Sequence, residues 1–225
     1  RKAIPIDKLM RIDEIKEKLK KRGLDERIYE IKNCEDLVKL SELNYSNKKQ
    51  VRYVLTRDIK CSSYLNPIGN FVNPFMGIFD GNGYIISNLK ISKKGFHVGL
   101  FGYIKSMKKT IKECPIETII ANLNLENIIV TGEDSIGGLA GVNDRGVIIN
   151  CRVNGKVEGT DKVGGLIGFN DNGIVLDSYS TGTLTGNKYC GGIIGYDSEG
   201  FVKGCNSDMK INSLEHYGKI VGYGG

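Results

Sequence analysis

The second half of the chain repeats one short pattern: two glycines, two aliphatic residues and a further glycine. The pattern starts at Gly137, Gly164 and Gly191, and a variant of it starts at Gly218. The interval is 27 residues each time (164−137, 191−164 and 218−191). A constant period without slippage is typical of one structural unit stacked on copies of itself. We therefore predict an all-β solenoid with about 27 residues per repeat.

Aligning the repeats shows which positions each coil requires. Four columns are apolar throughout and are predicted to form ladders in the core: Leu139/Leu166/Ile193/Ile220, Ala140/Ile167/Ile194/Val221, Val147/Ile174/Phe201 and Val157/Leu184/Ile211. Glycine columns mark bends where a Cβ would clash or where φ must be positive. The glycines assigned this structural role are Gly137, Gly141, Gly164, Gly168, Gly191, Gly195 and Gly222.

A polar column lies between the glycines, formed by Asn143, Asn170 and Asp197. Stacked asparagines can hydrogen-bond along the axis through their amides, and this is the predicted role; a metal or sugar site along this edge is the alternative. The next column brings Asp144 and Asp171 to a spacing that suits paired carboxylates in glycoside hydrolysis. Because they recur in a repeated column, we interpret them as turn residues.

The N-terminal third differs from the repeats. Residues 6–22 carry Leu9, Ile12, Ile15 and Leu19 at helical spacing among charged residues, which predicts a narrow amphipathic helix. Its apolar stripe must pack on the solenoid end, a partner helix or another domain. Asn33 is a predicted N-cap of a second helix over residues 33–42 that would cover the first coil. The predicted domains are residues 1–32, a basic helix and linker, and residues 33–225, the solenoid.

An earlier copy of the pattern ends at Gly102, which is 39 residues before Gly141, so this repeat holds 12 extra residues (39−27). The surplus fits residues 105–115. Insertions in solenoids form loops on one face, often the binding face. Four lysines of this insertion are therefore candidates for partner binding: Lys105, Lys108, Lys109 and Lys112. Asp80 and Asn82 lie in a predicted tight turn, since the later acidic ligands of a calcium loop are missing.

The net charge of +6 is concentrated at one end of the chain. Residues 1–22 hold nine basic and four acidic residues, or +5, which leaves +1 for the rest. The repeats are thus electrically balanced, and nucleic-acid binding is not expected. No apolar run reaches the length of about 20 residues that a bilayer span needs. The chain starts at Arg1, so we expect it to be a trimmed or excised segment.

Cysteine and histidine give little indication of chemistry. None of the six cysteines forms a C-x-x-C pair, and Cys151 and Cys205 lie two coils apart in one column, about 9–10 Å, beyond the reach of a disulfide. The sequence has two histidines, His97 and His216, which we interpret as occupying non-equivalent positions. The chain contains no zincin, nucleophile-elbow or P-loop motif. We assign no catalytic residue, cofactor or metal.

The repeats resemble the GLUG motif. The copy at 164–186 joins Gly-Gly-Leu-Ile-Gly to Asn170, Gly173 and Ile174 and then to Ser178 and Tyr179; the copy at 137–159 has Cys151 and Arg152 in place of that last pair. The resemblance implies a right-handed parallel β-solenoid (β-helix) of bacterial surface proteins, including adhesins and accessory regions of immunoglobulin-cleaving peptidases. It also implies an extracellular or cell-surface location.

The leading hypothesis is a non-catalytic binding, adhesion or spacer module with a protein or glycan ligand. The alternatives are a polysaccharide-processing β-helix and a structural scaffold in a larger assembly.

Overall fold

The computed structural model describes residues 13, 14, 16, 17, 27–45, 51–107 and 117–224. Over these residues the chain winds into a parallel β-solenoid of about seven coils, which confirms the fold class predicted from the period. Every strand pairing within the described ranges is parallel. Each coil therefore satisfies its backbone groups through the coils above and below it.

Three sheets run along the solenoid. Sheet 1 consists of β1 (Arg27–Ile31), β2 (Val51–Leu55), β4 (Ile78–Asp80), β9 (Ile119–Ala121), β13 (Val147–Ile149), β17 (Ile174–Leu176) and β20 (Phe201–Lys203). Sheet 3 consists of β8 (Phe101–Lys105), β12 (Ala140–Asp144), β16 (Ile167–Asp171), β19 (Ile194–Ser198) and β22 (Val221–Gly224).

Sheet 2 is the largest of the three and contains ten strands. They are β3 (Ile59–Lys60), β5 (Ile85–Ser87), β6 (Lys90–Ser92), β7 (Phe96–Val98), β10 (Asn124–Thr131), β11 (Asp134–Gly137), β14 (Arg152–Glu158), β15 (Asp161–Gly164), β18 (Tyr179–Gly191) and β21 (Asn206–Gly218). Strand β18 pairs with both β14 and β15, so the two strands of one coil continue into a single long strand of the next.

The core follows the predicted columns and divides into two clusters. Leu139, Leu166 and Ile193 are fully buried in the main cluster. The ladder of Val147 and Ile174 is also buried, but it belongs to a separate apolar cluster, whereas Ile148 lies in the main core. Because successive side chains of a strand point to opposite faces, this ladder lies on the outer face of sheet 1. The predicted apolar ladder is therefore confirmed as buried, in a second core cluster on that face.

The glycine columns are bends enforced by contact. A Cβ on Gly164 or Gly191 would collide with the carbonyl oxygen of the residue three positions later, Ile167 or Ile194. A Cβ on Gly168 would collide with the backbone of Ser135 in a neighbouring strand. These positions require glycine because there is no room for a side chain, and positive φ plays no part in them.

The first coils contain the helix α1 (Cys34–Glu42). The side chain of Asn33 accepts a hydrogen bond from the backbone N–H of Asp36, as predicted for an N-cap, and Leu37 and Leu40 are buried in the main core. Strand β1 precedes the helix inside the region assigned to the linker, and it pairs with β2. Three residues that favour strands, Ile28, Tyr29 and Ile31, were its signal in the sequence.

A disulfide joins Cys34 to Cys61, with Cα atoms 5.5 Å apart and a sequence separation of 27 residues, and so fastens α1 to the following coil. Cys151 and Cys205 carry free thiols, as their separation predicted. Burial raises the pKa of the Cys151 thiol to about 12, which makes it unreactive.

The predicted helix over residues 6–22 falls mostly outside the described residues. The four described there, Asp13, Glu14, Lys16 and Glu17, are helical and exposed.

Candidate binding cleft

An open cleft of about 450 Å³ crosses the outer face of sheet 2. It runs over successive coils, from the turn at Gly83 to Tyr179 and Thr181 on β18. Its lining is mainly polar: Asn122, Asn124, Glu126, Asn150, Arg152, Asn154, Tyr179 and Thr181, with Gly83, Ile85, Leu125 and Val153. A groove with amide, guanidinium, carboxylate and hydroxyl groups can donate and accept hydrogen bonds along its length.

The strand register explains why these side chains converge. Asn124 pairs with Arg152, and Arg152 pairs with Tyr179, so the three residues form one outward-facing column. Asn154 pairs with Thr181 two residues further along the same strands. Because neighbouring strands lie about 4.8 Å apart, each coil adds one polar side chain per column at that interval.

A bulge shapes the sheet next to the cleft. The pairing of β10 with β14 shifts between Leu125 and Ile128. On the following coils the register of β14 with β18 is unbroken, and a Cβ on Gly155 (φ 158°) or Gly182 (φ 119°) would strike the backbone of the preceding coil. Bulges bend a strand and redirect its side chains, and they are common beside binding sites.

Hydrogen bonds along the axis hold the cleft's asparagines in place. Asn150 donates from Nδ2 to Oδ1 of Asn122 (2.9 Å), and Asn122 donates to Oδ1 of Asp80 (3.1 Å). Asn124 donates to the carbonyl of Gly83 (3.1 Å). These residues are therefore set before a ligand arrives, which lowers the entropy cost of binding.

The far wall ends in a charged contact. The hydroxyl of Tyr179 donates to Oδ2 of Asp208 at 2.6 Å, and this hydrogen bond raises the pKa of Tyr179. Arg152, by contrast, is an exposed side chain on the middle coil of the cleft. Its guanidinium presents a planar fork of donors that suits hydroxyl or carboxylate oxygens.

The predicted asparagine column is confirmed as an internal hydrogen-bonded ladder. Asn143 donates to Oδ1 of Asn170 (2.8 Å), and Asn170 donates to Oδ1 of Asp197 (2.6 Å). All three side chains are buried. These hydrogen bonds account for the column without a bound metal or sugar, and the described residues contain no cluster of three or more potential metal ligands.

Asp144 is a buried structural acid. It forms ion pairs with Lys105 (3.0 Å) and Arg145 (2.9 Å), and the hydroxyl of Tyr103 contacts it at 3.4 Å. Burial first, and then Asp144, raise the pKa of Tyr103 to about 12. These contacts do not support a hydrolytic pair of Asp144 with Asp171, because both carboxylate oxygens of Asp144 already form ion pairs.

Of the four candidate lysines, the structure describes Lys105, and its ammonium group forms the ion pair with Asp144. Lys108, Lys109 and Lys112 lie outside the described residues. The strand register places the surplus residues after Lys105, because Lys105 pairs with Asp144 while Ile119 pairs with Val147. Partner binding by this insertion stays a prediction.

The two histidines do occupy equivalent positions, contrary to the sequence interpretation. Pairing of the flanking residues aligns His97 with Ser135, then with Lys162, Tyr189 and His216. The equivalence was hidden because the repeat between His97 and Ser135 is longer than 27 residues.

Comparison with known proteins confirms the resemblance found in the sequence. Residues 132–158 and 162–185 match the family model of the GLUG motif. The chain is 32% identical to halomucin of Haloquadratum walsbyi over 60% of its own length and 33% identical to a protein described as a Gly-rich membrane protein of Evansella cellulosilytica over 45%. It spans 2% and 12%, respectively, of those relatives.

A crystal structure of a protein described as an immunoglobulin A1 protease from Bacteroides ovatus is similar to this chain, with a TM-score of 0.47 and 18% identity. The match covers 83% of this chain and 77% of that one. In the part of the chain that the structure describes, no helix is both long and apolar enough to cross a bilayer. The described residues thus form a parallel β-solenoid that carries two copies of the GLUG motif, with an open polar cleft across sheet 2.

Proposed function

We propose that this chain is a non-catalytic, surface-associated binding module whose cleft holds a glycan. The observation that carries the proposal is the cleft itself, with its ordered asparagines and the exposed Arg152. Glycans offer many hydroxyl groups in a row, and the cleft offers donors and acceptors at the repeat interval of the coils. The names of the relatives, halomucin and a Gly-rich membrane protein, support association with a cell surface.

The chemistry of the cleft favours binding over catalysis. Catalysis of glycoside hydrolysis needs a pair of carboxylates about 5–9.5 Å apart that flank the scissile bond. Glu126 is the cleft's one carboxylate among its described lining residues. Asp208, at the far wall, accepts the hydrogen bond of Tyr179.

A glycan array tests this proposal. The wild-type chain is expected to bind a subset of the immobilised glycans, and Arg152→Ala is expected to lose at least about tenfold in affinity for them, the cost of one charged hydrogen bond. Arg57→Ala is the matched control, because Arg57 is also exposed but lies outside the cleft. Circular dichroism of each variant checks that the fold is retained.

Three outcomes would count against the proposal. An array without any bound glycan would reject glycan binding. Equal affinity of wild type and Arg152→Ala would reject the cleft as the site. New reducing ends or unsaturated sugars released from a bound polysaccharide would reject the non-catalytic role and favour the polysaccharide-processing alternative.

A further inference from the structure

Five rings form a continuous surface at the bend between sheets 2 and 3 of the last three coils. We name this surface the aromatic edge; its members are Phe169, Tyr189, Tyr196, His216 and Tyr223. Neighbouring ring centroids lie 4.9 Å apart for Tyr189 and Tyr223 and 5.6 Å apart for Phe169 and Tyr196. His216 is exposed, and Tyr223 is 46% exposed. The edge is separate from the cleft, with which it shares no residue.

Two columns of the repeat build this edge. Val142, Phe169, Tyr196 and Tyr223 pair in succession along sheet 3. Ser135, Lys162, Tyr189 and His216 follow one another in the adjacent column. Coils that lack the rings at these positions fold in the same register, so packing of the solenoid does not require the rings.

The backbone gives a second indication. Every residue of the column that holds Tyr189 and His216 has positive φ, 55° for Tyr189 and 47° for His216. Bulky side chains are disfavoured in this conformation, and asparagine occupies it readily, as at Asn122 and Asn150 in another turn column. Aromatic residues at a position that disfavours them point to a role for the rings themselves.

We propose that the aromatic edge is a second glycan-binding surface, on which pyranose rings stack. An aromatic face carries negative partial charge, which attracts the C–H groups on the apolar face of a sugar. The tyrosine hydroxyls and the imidazole of His216 can bond the sugar hydroxyls, and Lys188 lies 4.8 Å from the ring centre of Tyr189. The rings of the aromatic edge contact one another and leave no space between them for an ammonium ligand of the kind that aromatic cages hold. A ligand with a flat apolar face, such as a pyranose ring, therefore fits this surface better.

The opposite end of the same two columns repeats the arrangement. His97 and Tyr103 make an edge-to-face contact at 5.5 Å, as His216 and Tyr223 do at 5.4 Å. Phe71, which is 69% exposed, packs on Tyr103. Four coil spacings separate the two ends, about 19 Å. A polysaccharide chain lying along the axis can therefore meet aromatic rings at both ends.

Isothermal titration with defined hexasaccharides tests the aromatic edge. The probes are cellohexaose, mannohexaose and maltohexaose. The double variant Tyr189→Lys with Tyr223→Val introduces the residues that the chain itself holds at the equivalent positions Lys162 and Val142, so folding is expected to persist. Loss of two stacking rings is expected to weaken binding of at least one probe by about tenfold or more.

Tyr217→Ala is the matched control, because Tyr217 follows His216 on β21 but lines a separate depression with Met209 and Lys219. The chain has 11 tyrosines and no tryptophan, so tyrosine emission can be followed without a tryptophan background. Emission should change on hexasaccharide addition in wild type and in Arg152→Ala, and much less in the double variant.

Equal affinity of wild type and the double variant would overturn the proposal, as would a lack of binding of all three probes. Loss of binding in Arg152→Ala, with binding intact in the double variant, would assign the sugar to the cleft alone and overturn the second surface. Loss in the double variant with Arg152→Ala unaffected would support the aromatic edge and leave the cleft without a role in hexasaccharide binding.

Discussion

The first and last coils are held together by different means. Residues 27–107 contain a helix, a disulfide and strands of two to five residues, and their core includes three fully buried phenylalanines, Phe75, Phe79 and Phe101. Residues 117–224 contain strands of up to 13 residues, aliphatic ladders and glycine bends in a fixed register. Where the sequence keeps its period, identical contacts repeat. Where it loses the period, a covalent link and large rings hold the coils together.

This comparison predicts that glycine matters most in the regular coils. Gly164→Ala places a Cβ against the carbonyl of Ile167, so the bend must open, and we expect a loss of more than about 4 kcal/mol in unfolding free energy or failure to fold. Gly83→Ala is the control in the first coils: its Cβ would meet nothing within 4 Å, and the positive φ (81°) costs about 1–2 kcal/mol. Urea denaturation measures both values. A smaller effect at Gly164 than at Gly83 would contradict the account of the bends.

The disulfide is expected to have the next largest effect, confined to the first coils. Cys34→Ser with Cys61→Ser opens a link across 27 residues, and the loop-entropy relation gives a loss of about 3.5 kcal/mol. Hydrogen exchange should show faster opening of β1 and β2 and little change in β17 and β18. Cys151→Ser is the matched control, because Ser178 occupies the same column one coil later. Uniform loss of protection along the chain would mean that the two regions unfold as one.

The smallest expected effect is a pH dependence from His97. Burial lowers its pKa, and Lys162 and Lys93 lower it further against the opposing effect of Asp134. The unfolded chain therefore binds the proton more readily, so stability from this group is present above pH about 6.5 and declines as the pH falls. His97→Asn, which suits the positive φ of 58°, should flatten the unfolding free energy between pH 7 and 5. If His97→Asn leaves the pH dependence of the unfolding free energy unchanged, His97 is not the source of that dependence.

Most of the fold was predictable from the sequence, because the core columns repeat wherever side chains face inward. Leu139, Leu166 and Ile193 are constrained by their neighbours above and below, and so is the buried Asn143. Outward residues such as Arg152 have no such constraint, so no period reveals the cleft that they form. The pairing of Cys34 with Cys61 was missed because the helix and short strands between them obscure the period that relates them.

The column through His97, Ser135, Lys162, Tyr189 and His216 has a practical consequence for protein engineering. It already holds five side chains of four kinds, two of them imidazoles, on one backbone conformation with positive φ. The column is therefore a row of substitutable positions at intervals of about 4.8 Å. Substituting these positions one at a time would change the chemistry of the solenoid surface while its core residues stay the same.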